Sequence, residues 1–202
     1  MVLSEGHSAT CVERGFITAR LEPLAAYRPP APAHAEHANA AVLIPLIERP
    51  EGLSVLLTLR TDHLRSHAGQ IAFPGGRADP GETPWQTALR EAEEEVGLDP
   101  ALVDVAGLSE TFATRTGYLI TPVVGFVSPA LSLTPNPEEV AEVFEAPFAF
   151  LMDAANHQLS PWEFPDGTVR EVLAMPYGER RIWGITAMLI RALHERLYGE
   201  TA

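Results

Sequence analysis

The segment GGRADPGETPWQTALREAEEEVGLDP, Gly75 to Pro100, decides how this chain is read. Four glutamates (Glu91, Glu93, Glu94 and Glu95) crowd between Arg90 and Gly97. Like charges one turn apart on a helix are destabilising, so the crowding needs a reason. The helix itself is spelled out locally. Thr83 suits the N-cap, Pro84 the first helical position, and Gln86 completes a capping box with Thr83. Gly97 suits the position just past the end, Leu98 supplies the apolar contact after it, and Pro100 prevents continuation.

At ~100° per residue, Glu91, Glu94 and Glu95 share one arc and Glu93 lies outside it. Trp85, Ala88, Leu89, Ala92 and Val96 form the neighbouring apolar stripe. The three carboxylates are therefore predicted at the rim of the buried face, opposite the Gly-rich loop that precedes the helix. Two readings of the helix stand at this point. A solvated acidic face is common in acidic proteins. Such a face interleaves basic partners at i±4, and here only Arg90 is basic, serving at most Glu94. The other reading is a cation cage, and oxygen ligands at this density suit Mg²⁺ or Mn²⁺ rather than Zn²⁺.

Composition bounds the rest. The chain has 202 residues and a formal net charge of −13. All 14 cationic side chains are Arg. That charge disfavours nucleic acid as a partner, and an anionic substrate needs metal ions or local Arg clusters to be held. Without lysine there is neither a P-loop nor Schiff-base catalysis. Cys11 is the single cysteine, so no intramolecular disulfide forms. No secretory signal and no apolar run of membrane-spanning length is present. The expectation is a soluble cytoplasmic protein without a membrane partner.

Thr10 to Leu24 reads as a short amphipathic helix, and Tyr27 to Ala40 as a Pro/Ala-rich arm. Its His34 and His37 lack the further ligands of a metal site. Ala41–Glu48 and Leu53–Arg60 read as a hairpin around RPEG, with QIAFPGG as a short strand after it. LVDVAGLSETFA, YLITPVVGFV and EEVAEVFEA read as three further strand units. Pro147–Asp153 reads as a short helix, TVREVLAMPY and RRIWG as another hairpin, and Gly184–Tyr198 as the last helix. The order is a mixed α+β layer fold.

The string Gly76, Glu82, Arg90, Glu91, Glu94, Glu95, Gly97, Leu98 resembles the Nudix box, the signature of hydrolases of nucleoside diphosphates linked to another moiety. Ala92 departs from the larger aliphatic residue usual there. The resemblance implies a Nudix fold: an α/β/α sandwich with a mixed β-sheet and the Nudix loop-helix. It implies an extension over 1–36 and a Nudix hydrolase domain over 37–202. It implies Glu91, Glu94, Glu95 and the Gly75 carbonyl as ligands of Mg²⁺, with Mn²⁺ as the alternative cofactor. Arg90 and Glu82 become braces, and Gly75 and Gly76 allow close backbone approach. Glu91, Glu94 and Arg90 are the implied catalytic residues. The base stays open between Glu94 and the later Glu138, Glu139, Glu142 and Glu145. Nudix relatives often form homodimers.

LLTLRTDHLRSHAGQIAFPGG, Leu56 to Gly76, resembles the pattern marking coenzyme A diphosphatases within that superfamily. It matches at Leu56, Leu57, Thr58, Arg60, Arg65, Gly69, Phe73, Pro74, Gly75 and Gly76, with Thr61 a slight departure. The implied reaction is Mg²⁺-dependent hydrolysis of coenzyme A or its derivatives to 4′-phosphopantetheine and adenosine 3′,5′-bisphosphate. ADP-ribose or a dinucleotide such as NADH is the alternative substrate. Arg60, Arg65 and Arg77 are candidate contacts to substrate phosphates, because the guanidinium fork reads phosphate bidentately. His67 is a candidate hydrogen-bond donor to loop or substrate. His63 and His67 lack the Glu of a zinc-protease motif. Trp85, Trp162 and Trp183 are read as core residues ahead of platforms for adenine.

Overall fold

The computed structural model describes residues 13–29, 37–63, 68–163 and 167–199. Its main sheet is built on β1 (Ala38–Arg49), which pairs antiparallel with β2 (Gly52–Arg60) through the two-residue turn Pro50–Glu51. On its other edge β1 runs parallel to β7 (Tyr118–Val127) from Ala38↔Tyr118 to Ile47↔Val127. β7 in turn carries β5 (Val103–Leu108) and β6 (Phe112–Ala113), both antiparallel. β8 (Val140–Pro147) closes the far edge on β2. The sheet is mixed, as expected. The arm predicted to reach Ala40 stops earlier: Ala38–Ala40 belong to β1, because pairing with β7 supplies the hydrogen bonds that alanine's weak strand preference does not.

β1 and β2 pair only near their turn, from Leu46↔Val55 to Arg49↔Gly52. The fork beyond is filled by residues 71–77. β3 (Ile71–Ala72) pairs with β2, and β4 (Gly75–Arg77) crosses to pair with β1. The crossing is pinned by the Leu43 N–H donating to the Pro74 carbonyl at 2.8 Å. This seats the Gly75–Gly76 pair in the sheet under the helix that follows.

Alternation sorts the strands between two cores. Ala41, Leu43, Ile47, Leu56, Val123 and Val127 face α1 (Pro84–Val96) through its buried Ala88, Ala92 and Val96. Ala92 is 0% exposed, so its small side chain lets the helix lie close to the sheet. Ile44, Leu46, Val55, Leu57, Val124 and Phe126 face the other way, with Phe148 and Leu151 of α2 (Phe148–Leu151) and Leu189, Ile190, Leu193 and Leu197 of α3 (Gly184–Tyr198). Three layers result, helix on sheet on helix. The second helical layer also contains an antiparallel sheet, β9 (Gln158–Glu163), β10 (Val169–Tyr177) and β11 (Arg180–Trp183). The β10–β11 hairpin was expected; β9 was not. Residues 13–18 are helical. Just beyond them Leu21 is buried, as is Ile17 within them, both on the α3 side of the sheet. Residues 10–12 of the predicted N-terminal helix lie outside the described residues. No helix among the described residues is long and apolar enough to cross a membrane.

Candidate active site

The loop-helix forms as its sequence specifies. The Thr83 N–H donates to Gln86 Oε1 at 2.9 Å, closing the start of α1. Gly97 is left-handed (φ 68°), its N–H donates to the Glu93 carbonyl at 2.9 Å, and the Leu98 N–H donates to the Ala92 carbonyl at 3.3 Å. Only a residue tolerant of positive φ makes this stop without strain.

Arg90 gathers the outer end of the site. Its Nε donates to Glu82 Oε1 at 2.8 Å and its second terminal nitrogen to Glu82 Oε2 at 3.1 Å. The same nitrogen donates to the Arg77 carbonyl at 3.0 Å, while the first reaches Glu91 Oε1 at 2.8 Å and Glu94 Oε2 at 3.2 Å. The i±4 expectation allowed Arg90 only Glu94. Folding the loop back over the helix brings it Glu82 and Glu91 as well. Glu82 also accepts from the Asp79 N–H at 2.9 Å and the Thr87 hydroxyl at 2.8 Å. The Arg90 hydrogen bonds, aided by these two donors, lower the Glu82 pKa to about 2.

The inner end differs. Glu95 is 3% exposed. It accepts the Gly75 N–H at 3.1 Å and pairs with one Arg60 nitrogen at 3.2 Å. Burial outweighs both partners and raises its pKa to about 7, with Glu139 and Glu91 adding to the rise. Burial likewise pushes the Glu91 carboxyl upward, against the pull of Arg90. Arg60 Nε is buried without a hydrogen-bond partner among the described residues. The three carboxylates do not share one rim, as the helical wheel suggested. They form a gradient from Glu94, 58% exposed, through Glu91 at 17% to Glu95 at 3%.

The fold thus brings Glu91, Glu94, Glu95, Arg90, Gly75 and Arg60 together. Arg77 contributes its carbonyl, and its side chain is exposed. Arg65 and His67 lie outside the described residues. Of the later acids, Glu139 acts electrostatically on Glu91 and Glu95. Glu145 is held by Arg49 and Ser54, and Glu142 pairs with Arg180, so both are committed elsewhere. Glu138 is exposed; its carbonyl accepts from the Thr61 hydroxyl at 3.1 Å. The support that Thr87 gives Glu82 was missed from sequence, where a mid-helix Thr carries no signal.

Among the described residues, no three acidic, His or Cys groups already surround one point as metal ligands. The residues present nevertheless fit a hard divalent cation. Their donors are all oxygen. A Cβ on Gly76 would overlap the Glu91 carboxylate, so the bare backbone and that carboxylate form one cradle. Burial raises both Glu91 and Glu95, and the pull of the nearby arginines does not offset it.

Known proteins resemble this chain in sequence and in fold. The NUDIX domain family matches residues 37–172. A Yersinia pestis (strain Pestoides F) protein named "Uncharacterized Nudix hydrolase NudL" is 44% identical over 165 residues, covering 81% of each chain. The crystal structure of DR0079 from Deinococcus radiodurans superposes with TM-score 0.52 at 15% identity, over 81% of this chain and 84% of that one. The NUDIX domain of Shewanella oneidensis NrtR, solved with ADP ribose, gives TM-score 0.50 at 20% identity, over 86% and 96% of the two chains. At these identities the two structures speak for a shared fold alone.

Proposed function

Since this chain belongs to the NUDIX family, as a Nudix hydrolase acting on pyrophosphate bonds, we propose that its substrate is coenzyme A or a derivative. Water adds to one phosphorus of the diphosphate and the bridging P–O bond breaks. The products are 4′-phosphopantetheine and adenosine 3′,5′-bisphosphate. The observation that carries the chemistry is the buried Glu95 beside Gly75, with Glu91 against Gly76. The substrate assignment is supported by the coenzyme A pattern over Leu56–Gly76, whose Arg60 reaches Glu95.

Glu91, Glu94 and Glu95, with the Gly75 carbonyl, would hold Mg²⁺ or Mn²⁺. When bound, such an ion screens the diphosphate charge, withdraws electrons from a phosphoryl oxygen and acidifies a bound water. Arg90 does a different task. By spanning Glu82, Glu91 and the Arg77 carbonyl it fixes the loop against the helix, holding the ligand set in place before substrate arrives. Glu82 stays anionic at any working pH, so the brace does not titrate away. Glu94, the most exposed of the three, and Glu139 are the carboxylates we assign to receive the proton of the attacking water. Arg60, whose side chain is only partly buried, is assigned a contact to a phosphate oxygen through its terminal nitrogens. Arg65, Arg77 and His67 complete the proposed substrate contacts.

Incubating the protein and Mg²⁺ or Mn²⁺ with coenzyme A, ADP-ribose or NADH tests this. Chromatography should show 4′-phosphopantetheine and adenosine 3′,5′-bisphosphate, with coenzyme A turned over at least ~10-fold faster than the others, a preference of about 1.4 kcal/mol. Equal turnover of all three overturns the coenzyme A assignment. Preference for ADP-ribose or NADH selects the alternative substrate.

A further inference from the structure

Glu139 joins the acid site from outside the loop-helix, at the end of the segment between β7 and β8. We propose that Asn136, on the same segment, is a positioning residue: it holds the Glu139 carboxylate toward Glu91 and Glu95, where that carboxylate takes the proton of the attacking water. In that step an O–H bond of the water breaks and its proton passes to Glu139. The water oxygen bonds to phosphorus, and the bridging oxygen leaves with the electron pair of its P–O bond. The proposal rests on the diphosphate-hydrolase reading above and narrows its two proton acceptors to one.

Asn136 is hydrogen-bonded through every polar group it has. Its N–H donates to the Glu95 carbonyl at 2.8 Å, and nearby the Thr134 N–H donates to the Val96 carbonyl at 2.8 Å. Both acceptors are carbonyls that the end of α1 cannot satisfy within the helix. A Cβ added at Gly97 would lie 2.9 Å from the Thr134 nitrogen, so glycine there also lets the segment close on the helix end. The Asn136 carbonyl accepts the Glu139 N–H at 3.0 Å and the Val140 N–H at 2.8 Å, and its Oδ1 accepts the Glu138 N–H at 3.1 Å. With Pro137 next in the chain, these bonds are the cap and first position of a single turn, and Glu139 sits on that turn. Because Oδ1 faces an N–H, the other end of the amide is the donor. That Nδ2 donates to Glu139 Oε1 at 3.4 Å. From the β2 side, the Thr61 N–H donates to the Glu139 carbonyl at 3.0 Å and the Thr61 hydroxyl to the Glu138 carbonyl at 3.1 Å. The Glu139 backbone is thus fixed at both its polar groups, and among the described residues Asn136 alone hydrogen-bonds its carboxylate. Glu94, by contrast, is paired with Arg90. A neutral amide orients a carboxylate without cancelling its charge. Glu139 bears electrostatically on both Glu91 and Glu95, so that charge lies close to the ligand set.

The test compares wild type, Asn136→Ser, Asn136→Ala, Glu139→Gln and the Asn136→Ser/Glu139→Gln double variant. Serine caps a turn as asparagine does but carries no amide donor; alanine does neither. A merely structural Asn136 therefore predicts wild-type behaviour from Asn136→Ser. Here the melting temperature should fall only in Asn136→Ala, while kcat falls in both, by at least ~10-fold with KM within ~2-fold of wild type. Rates are taken on whichever of coenzyme A, ADP-ribose and NADH the wild type turns over fastest. Glu139→Gln should lower kcat by at least ~100-fold, and adding Asn136→Ser should lower it no further, because the amide acts only through the lost base. Two readouts need no turnover. Mn²⁺ affinity by calorimetry should be the same in Asn136→Ser and wild type, and the Asn136 side-chain amide resonances should move in Glu139→Gln. Wild-type kcat in Asn136→Ser overturns the proposal. A further loss in the double variant overturns it too, since Asn136 then acts apart from Glu139, and weaker Mn²⁺ binding in Asn136→Ser does so by assigning Asn136 to the cation site. The substrate reading fails separately: if ADP-ribose or NADH is the fastest substrate and the kinetic pattern holds, Asn136 keeps its role and coenzyme A is lost.

Discussion

The two ends of the acid site are built from the same residue types and behave in opposite ways. At the outer end Arg90 meets Glu82, Glu91, Glu94 and a carbonyl, and Glu82 is driven down to about 2. At the inner end Arg60 offers Glu95 one contact at 3.2 Å, and Glu95 rises to about 7. An arginine with its hydrogen bonds filled stabilises structure. An arginine that offers a buried carboxylate a single contact does not offset the cost of burying its charge. The outer pair thus ties the loop to the helix, and the inner pair is the end at which we propose that a cation binds.

Breaking the brace should have the largest effect. Arg90→Ala leaves Glu82, Glu91 and Glu94 facing one another without their cation. It should cost about 2–3 kcal/mol in denaturant unfolding and abolish measurable turnover. Next comes the inner end. Glu95→Gln should keep the fold, seen as an unchanged circular dichroism spectrum, and lower kcat by at least ~100-fold, about 2.7 kcal/mol of barrier. Near-normal kcat in this variant would count against a ligand role for Glu95.

The pH dependence of stability sharpens the contrast, because the two carboxylates have opposite signs. The Glu95 pKa is raised, so its contribution is fully present below about 4.5, the unfolded value, and is lost as pH rises through about 7. Without added metal, the wild type should lose on the order of 2 kcal/mol across that window, and Glu95→Gln should not. Glu82 is lowered, so its contribution is present above about 4.5 and disappears as pH falls through about 2. Thermal melts from pH 2 to 8 read both slopes. The smallest effect belongs to Glu93, the exposed glutamate outside the arc. Glu93→Gln should change stability by less than ~0.5 kcal/mol and leave turnover alone.

The same contrast explains what could be read from the sequence. The brace end was largely legible. Caps and helix lie within Thr83–Gly97, where helical geometry fixes neighbours, and the Glu82–Arg90 pair came from the resemblance to the Nudix box. The gradient from Glu94 to Glu95 was not, because a helical wheel gives direction but not depth. Depth depends on β4 crossing to β1 and on Ala88 and Ala92 letting the helix settle. The Arg60–Glu95 pair joins residues on β2 and α1, beyond any local rule. β9 was missed for a similar reason. Gln158–Glu163 contains Pro161 and lacks clean alternation, and becomes a strand only through its pairing with β10. The contact between Trp162 and Trp183, two half-buried indoles with centroids 4.5 Å apart that were read as core residues, follows from that pairing and was hidden with it.

Titrating Mn²⁺ into the substrate-free protein by calorimetry tests the central claim most directly, with wild type, Glu95→Gln and Glu93→Gln compared at one pH. The account predicts at least ~10-fold weaker binding in Glu95→Gln, about 1.4 kcal/mol, and wild-type binding in Glu93→Gln. Equal Mn²⁺ affinity in wild type and Glu95→Gln would contradict it.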